Sequence, residues 1–263
     1  MTPTPILDSI PIGALYLLIV VAALIVAEGS YRLGLWWRRR SGDESEGVAN
    51  PLVGATLALL AFLIVFQTGG AADRHNTRRQ LVVEEGKAVG TAFLRAGFLP
   101  EPDQTEVRQL LREYVDIRLA AAAEADSSLL AGVVTRSEEI HAELWSLTEA
   151  VALAHPGSEL IVGFVESLNL VIDVHADRIA AVLNRLQPSI WLAILFVTAL
   201  SVAVVGFHNG LAGERHLVAA VALVLVMVAV ILLIVDLDRP QEGLLQVSQQ
   251  TLIDLQRQFE TWP

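Results

Sequence analysis

Long apolar runs alternate with one long polar stretch. Pro11–Ala27, Pro51 to about Gly69, Gln187–Phe207 and Leu217–Val235 are nearly free of charge. Each is close to the roughly 20 residues a helix needs to cross a bilayer core. The stretch from Ala71 to Pro188 carries charges throughout and keeps apolar residues at helical spacing. Asp103 stands three residues before Glu106, a capping-box spacing that predicts a helix over Gln104–Glu124. A second helix is predicted from Ser127 or Ser128 to Ala154, ending at His155–Pro156–Gly157. A third is predicted over Ser158–Leu186, with Ile161, Phe164, Leu168 and Ile172 on one stripe. No segment alternates at period two. A last amphipathic helix is expected over Leu244–Phe259.

These elements predict an all-α membrane protein with four transmembrane helices in two hairpins and a helical domain inserted between spans two and three. The expected divisions are a first hairpin (1–70), the helical domain (71–186), a second hairpin (187–236) and a polar helical tail (237–263). The second span should leave the lipid without a break and continue into water, because Asp73, Arg74, Arg78 and Arg79 follow Gly69–Gly70 directly. Pro11–Ala27 has no basic residue before it and no small-residue cleavage pattern after it, so it reads as an anchor. A polar link, Ser41–Val48, is expected between the first two spans, after the Trp36–Trp37 belt and the basic Arg38–Arg39–Arg40.

Composition sharpens this picture. Apolar residues make up 54% of the 263 residues and charged ones only 18%, below the quarter usual for a soluble domain. The net charge of −11 argues against nucleic acid as a partner. With no cysteine there is no disulfide, thiolate metal site or thiol nucleophile. No metalloprotease, nucleophile-elbow or phosphate-loop pattern is present, so no catalytic residue, cofactor or metal is assigned and an enzyme is not expected. His208, Glu214 and His216 share one predicted turn and read as a solvated loop rather than a metal site. His141 and His175 read as isolated surface or packing positions. The spans hold no ionisable group at mid-depth, only Thr56, Thr198 and Ser201. That disfavours proton pumps and secondary transporters, whereas a passive pore with an apolar constriction needs no such group.

Phe66–Arg74 (FQTGGAADR) and the Asp236–Pro240 segment (DLDRP) with Gly243 resemble the ends of the second and fourth spans of bestrophins. Ser30–Gly34 with Arg38–Arg40, Arg95–Pro100 and Leu111–Val115 further resemble the bacterial bestrophin-like membrane family of unknown function. The resemblance implies a homo-oligomer, a pentamer in bestrophins, with the second span lining a central path for inorganic ions. Phe66 would then sit at a neck, with Phe62 and Ala58 deeper. Four-residue spacing keeps the three on one helix face, and a ring of phenylalanines can dewet a pore. Gln67, Asp73, Arg74 and Arg78 at the exit of span two, with Asp236, Asp238 and Arg239 at the exit of span four, are candidates for a pore mouth or an interfacial charge network. Two departures stand out: His75 and Asn76 replace the tryptophans expected after Arg74, and the acidic run of a calcium clasp is absent after Gly243.

The expected setting is a multi-pass position in a bacterial inner membrane. Arg32, Arg38–Arg40 and Arg215 place both short loops in the cytoplasm and the helical domain outside. The resemblance implies the inverse. A non-conducting, membrane-anchored interaction or sensing module is the alternative function.

Overall fold

The computed structural model describes residues 10–41, 46–123, 127–239 and 244–262. The amino-terminal residues 1–9, the middle of the polar link, Glu124, Pro240 and Gly243 lie outside them. Among the described residues the chain is helical, with no strand: α1 (Ile12–Ser41), α2 (Glu46–Ala96), α3 (Asp103–Ala123), α4 (Ser127–Ala154), α5 (Glu159–Leu183), α6 (Pro188–Ala212), α7 (Leu217–Asp238) and α8 (Gln250–Thr261). Four helices are long and apolar enough to cross a membrane.

The chain divides into two compact units. The first comprises Met1–Arg74 and Arg185–Leu245, the second His75–Asn184 and Gln246–Pro263. α2, 51 residues long, contributes its first part to one and its remainder to the other. It passes Gly69–Gly70 without a break.

In the first unit α1 packs along α6 and α7. The α1–α6 crossing is made by small residues. A Cβ on Gly34 would collide with the Phe207 carbonyl, one on Gly206 with Ser30 Oγ, and one on Gly210 with the Tyr31 carbonyl. Ser30 and Gly34 on α1, and Gly206 and Gly210 on α6, are each four apart. In lipid, where apolar side chains gain nothing by leaving the solvent, such small-residue pairs let helices associate by close backbone contact. α6 starts with Pro188 at its first position and stops at Gly213, whose φ of 73° is left-handed. Arg38 donates to the Ala212 carbonyl at 2.7 Å and satisfies one of the last backbone acceptors. Thr198 Oγ1 folds back on the Ile194 carbonyl (2.7 Å), and Ser201 Oγ donates to the Thr56 carbonyl (3.3 Å).

The second unit has a soluble-type core. Phe93 of α2, Leu111 and Tyr114 of α3, Ile140 of α4 and Phe164 of α5 are fully buried there. α8 inserts Leu252, Leu255 and Phe259, spaced to share one face. It approaches α2 over glycines: Gly86 leaves room for Thr251 and Gly90 for Leu255. Phe259 stacks on Phe93 at 4.2 Å, with the Arg108 and Arg112 guanidiniums 5.1 and 4.9 Å from the Phe93 ring.

Several expected boundaries shift. α3 begins at Asp103 itself, so Asp103 is the first helical residue and not a cap. α5 stops at Leu183, and Leu186 packs in the first unit. α6 runs through the expected turn as far as Ala212. α2 is already helical at Glu46–Val48, inside the expected link. The last helix starts at Gln250, not Leu244. Within 237–263, the described residues up to Leu245 fall in the first unit and those from Gln246 in the second.

Candidate functional site: an exposed aromatic face on α2 and two ionic clusters

Phe62 and Phe66 lie one turn apart on α2 and are 66% and 68% exposed within the protomer. Their rings are 6.4 Å apart at 19° and stack along the helix. Ala58 continues the same exposed face. Elsewhere on the helix, Leu60 and Ala71 are buried, so α2 has a packed side and an apolar side that the protomer leaves uncovered. Large aromatic rings exposed on one side call for a covering surface, either lipid or another copy. Gln67 is half-buried beside them, and Asp73 is exposed further along.

The charges at the ends of spans two and four meet in the first unit. Asp238 is buried; its carboxylate lies 3.3 Å from Arg74 Nε and 3.8 Å from Arg185 Nε. It also accepts the Leu186 backbone N–H at 3.1 Å. Asp236, equally buried, accepts the N–H groups of Leu244 and Leu245 at 2.8 and 3.1 Å. Arg239 donates to the Ile10 carbonyl at 2.8 Å. The two aspartates therefore tie three chain segments together through backbone amides as well as charges. Arg185, unmarked in the sequence reading, is part of this cluster. Arg78 donates to the Ala181 and Asn184 carbonyls and caps the end of α5 inside the second unit.

The second unit holds a buried polar cluster that sequence reasoning missed. Glu85 of α2 is fully buried. It accepts the Tyr114 hydroxyl at 2.7 Å and pairs with Arg118 at 3.2 Å and with Arg178. Tyr114 Oη also lies 3.2 Å from His175 Nδ1. The His175 and His141 rings meet edge to face at 4.8 Å, and His141 lies 5.1 Å from the Tyr114 ring. Four helices thus contribute one or two groups each. The two histidines are not isolated positions but neighbours in this core. Burial pushes the His141 imidazole down to about 4, outweighing the opposing pull of Glu85. Burial also raises the Tyr114 phenol well above its ordinary value, reinforced by the Glu85 charge. The signal available in the sequence was Tyr114–Arg118 and His175–Arg178, pairs four and three apart on predicted helices. Among the described residues no three histidine, aspartate or glutamate side chains converge as a metal site.

A profile of the bestrophin-like domain matches residues 18–252, nearly the whole chain. The chain belongs to the bestrophin-like family. The fold of this bestrophin-like protein matches the crystal structure of a bacterial bestrophin homologue from Klebsiella pneumoniae, a single-substitution variant. The TM-score is 0.63, at 15% identity, over 94% of this chain and 96% of the other. No curated protein matches the sequence.

Proposed function

We propose that this protein is a passive ion channel, a homo-oligomer in which α2 of each copy faces a central axis. Phe62 and Phe66 form an apolar neck there, with Ala58 opening the path on one side. The observation that carries the reading is the uncovered, stacked pair of phenylalanines on the helix that packs through its other side. Rings of such side chains narrow a water column and let it dewet, which gates ions without any charged group. The membership of the bestrophin-like family supports the same reading, as does a membrane unit whose described core is apolar. The Asp238–Arg74–Arg185 cluster then serves as a packing clasp beside the path rather than as an ion ligand, because its charges already pair with one another. The short loops are assigned to the cytoplasm by their arginines; protease accessibility in spheroplasts tests that assignment.

Purified protein in planar bilayers tests the channel. Wild type is expected to conduct poorly, and Phe62→Ala/Phe66→Ala to conduct several-fold more. Silence of both forms, together with a monomeric or non-ring assembly, would leave the anchored interaction module in its place.

A further inference from the structure

The first unit contains a cleft of about 250 Å³ between α1, α6 and α7. Its wall is aliphatic and lies within three of the candidate spans, with Leu24 on α1, Val202 and Val205 on α6, and Ala220, Val221 and Val224 on α7. Its mouth is the turn where α6 ends and α7 begins, so it lies where two spans leave the apolar layer. The mouth is ionic. Arg215 reaches Glu28 at 3.0 Å and lies 5.6 Å from the Tyr31 ring. His216 Nε2 lies 2.7 Å from Glu214. All four groups stay open to the surroundings: Arg215 is 59% and Glu214 67% exposed.

A greasy slot with a two-signed mouth at headgroup depth suits one kind of molecule. The volume falls below the roughly 300–1,000 Å³ of a small-molecule pocket and fits part of an acyl chain. Arg215 uses one edge of its guanidinium on Glu28, and its five N–H donors leave others for a phosphate. Glu214 gives one oxygen to His216 and offers the second to an ammonium N–H. A head carrying phosphate alone would meet the carboxylates of Glu28 and Glu214 beside Arg215. A quaternary head could not donate a hydrogen bond to Glu214. We propose that this cleft binds a phospholipid of the ethanolamine type, its chain between α1, α6 and α7, its phosphate on Arg215 and its primary ammonium on Glu214. The inference is independent of ion conduction.

The full-length protein in mild detergent is incubated with equal amounts of phosphatidylethanolamine, phosphatidylcholine and phosphatidylglycerol of identical chains. Retained lipid is counted by native mass spectrometry. Wild type should retain the ethanolamine lipid over each of the others on the order of tenfold, the ratio that one charge-assisted hydrogen bond supplies. Glu214→Gln, which leaves the wall intact, should erase the preference over the choline lipid. Arg215→Gln should lower retention of all three. Ala220→Phe, which fills the slot, should abolish retention while the protein stays monodisperse. Equal retention of the three lipids by wild type overturns the proposal. So does undiminished ethanolamine lipid on Ala220→Phe, or no lipid on wild type, which would give the cleft to a neighbouring copy.

Discussion

Replacing Glu85 by glutamine keeps the side chain's shape and removes its charge. In the native protein this carboxylate, with no exposed surface, receives the Tyr114 hydroxyl at 2.7 Å and faces two guanidiniums. Arg118 and Arg178 are themselves only 11% and 16% exposed, so they cannot recover full hydration when the carboxylate goes. Removing one partner of a buried ion pair costs roughly 3–5 kcal/mol, because the other is left uncompensated. Tyr114→Phe removes the hydrogen bond to the charged Glu85, about 1.5–3 kcal/mol, together with the contact to His175 Nδ1. The two residues touch, so the double variant should cost less than the sum of the single ones. Hydrogen exchange of α3 and α5 peptides reads this directly, since the cluster joins four helices of the second unit. Protection in Glu85→Gln should fall roughly 10²–10⁴-fold. Protection within threefold of wild type would show that the cluster does not hold these helices together, and would refute the reasoning.

Other outcomes follow from the same geometry. His141 is held at about 4 in the folded protein, against about 6.5 in an unfolded chain. The unfolded state therefore takes up the proton first as pH falls. Stability from this group is full above about 6.5 and drops by up to roughly 3 kcal/mol on the way to 4, where it levels off. Glu85 opposes this shift and Arg118 adds to it; His175, also held at about 4 by burial, acts in the same window, so His141→Phe should lessen the pH dependence of the melting temperature there and leave the His175 share. Gly210→Leu should separate α1 from α6 and cost at least about 1–3 kcal/mol by overpacking. Gly29→Ala, where a Cβ meets nothing within 4 Å, should be neutral or slightly stabilising, and detergent melting curves compare the two. Asp238→Asn keeps an acceptor for Leu186 N–H but gives up its pairing with Arg74 and Arg185, so it should lower the same melting temperature by an amount corresponding to about 1–3 kcal/mol.

Much of the fold is legible because lipid-facing helices are apolar over long runs, and charge ends those runs. The start of α6 at Pro188 is legible, whereas its end at Gly213 is not, because the polar His208–Asn209 pair lies inside the helix rather than in a turn. The common face of Ala58, Phe62 and Phe66 follows from spacing. Ser30–Gly34 was legible only as a family motif, although the matching Gly206–Gly210 pair marks a helix crossing on physical grounds. Arg78 stands one turn after Arg74, and its bonds to the Ala181 and Asn184 carbonyls were hidden because spacing along α2 does not show which helix end packs beside it. The Glu85 cluster was hidden for a related reason. Its members come from four helices, and a sequence does not show which polar side of one amphipathic helix meets that of another.

The carboxylates at the end of α7 also bear on how the protein is made. Asp236 and Asp238 take their backbone partners from residues made before them, at Leu186, and after them, at Leu244 and Leu245. Arg74, synthesised far earlier, waits for Asp238 as its counter-ion. The first unit can therefore latch only once the chain through Leu245 has left the ribosome. A chain cut short just before Asp236 would carry its four apolar runs with Arg74 and Arg185 lacking that counter-ion, a state that quality-control proteases could recognise.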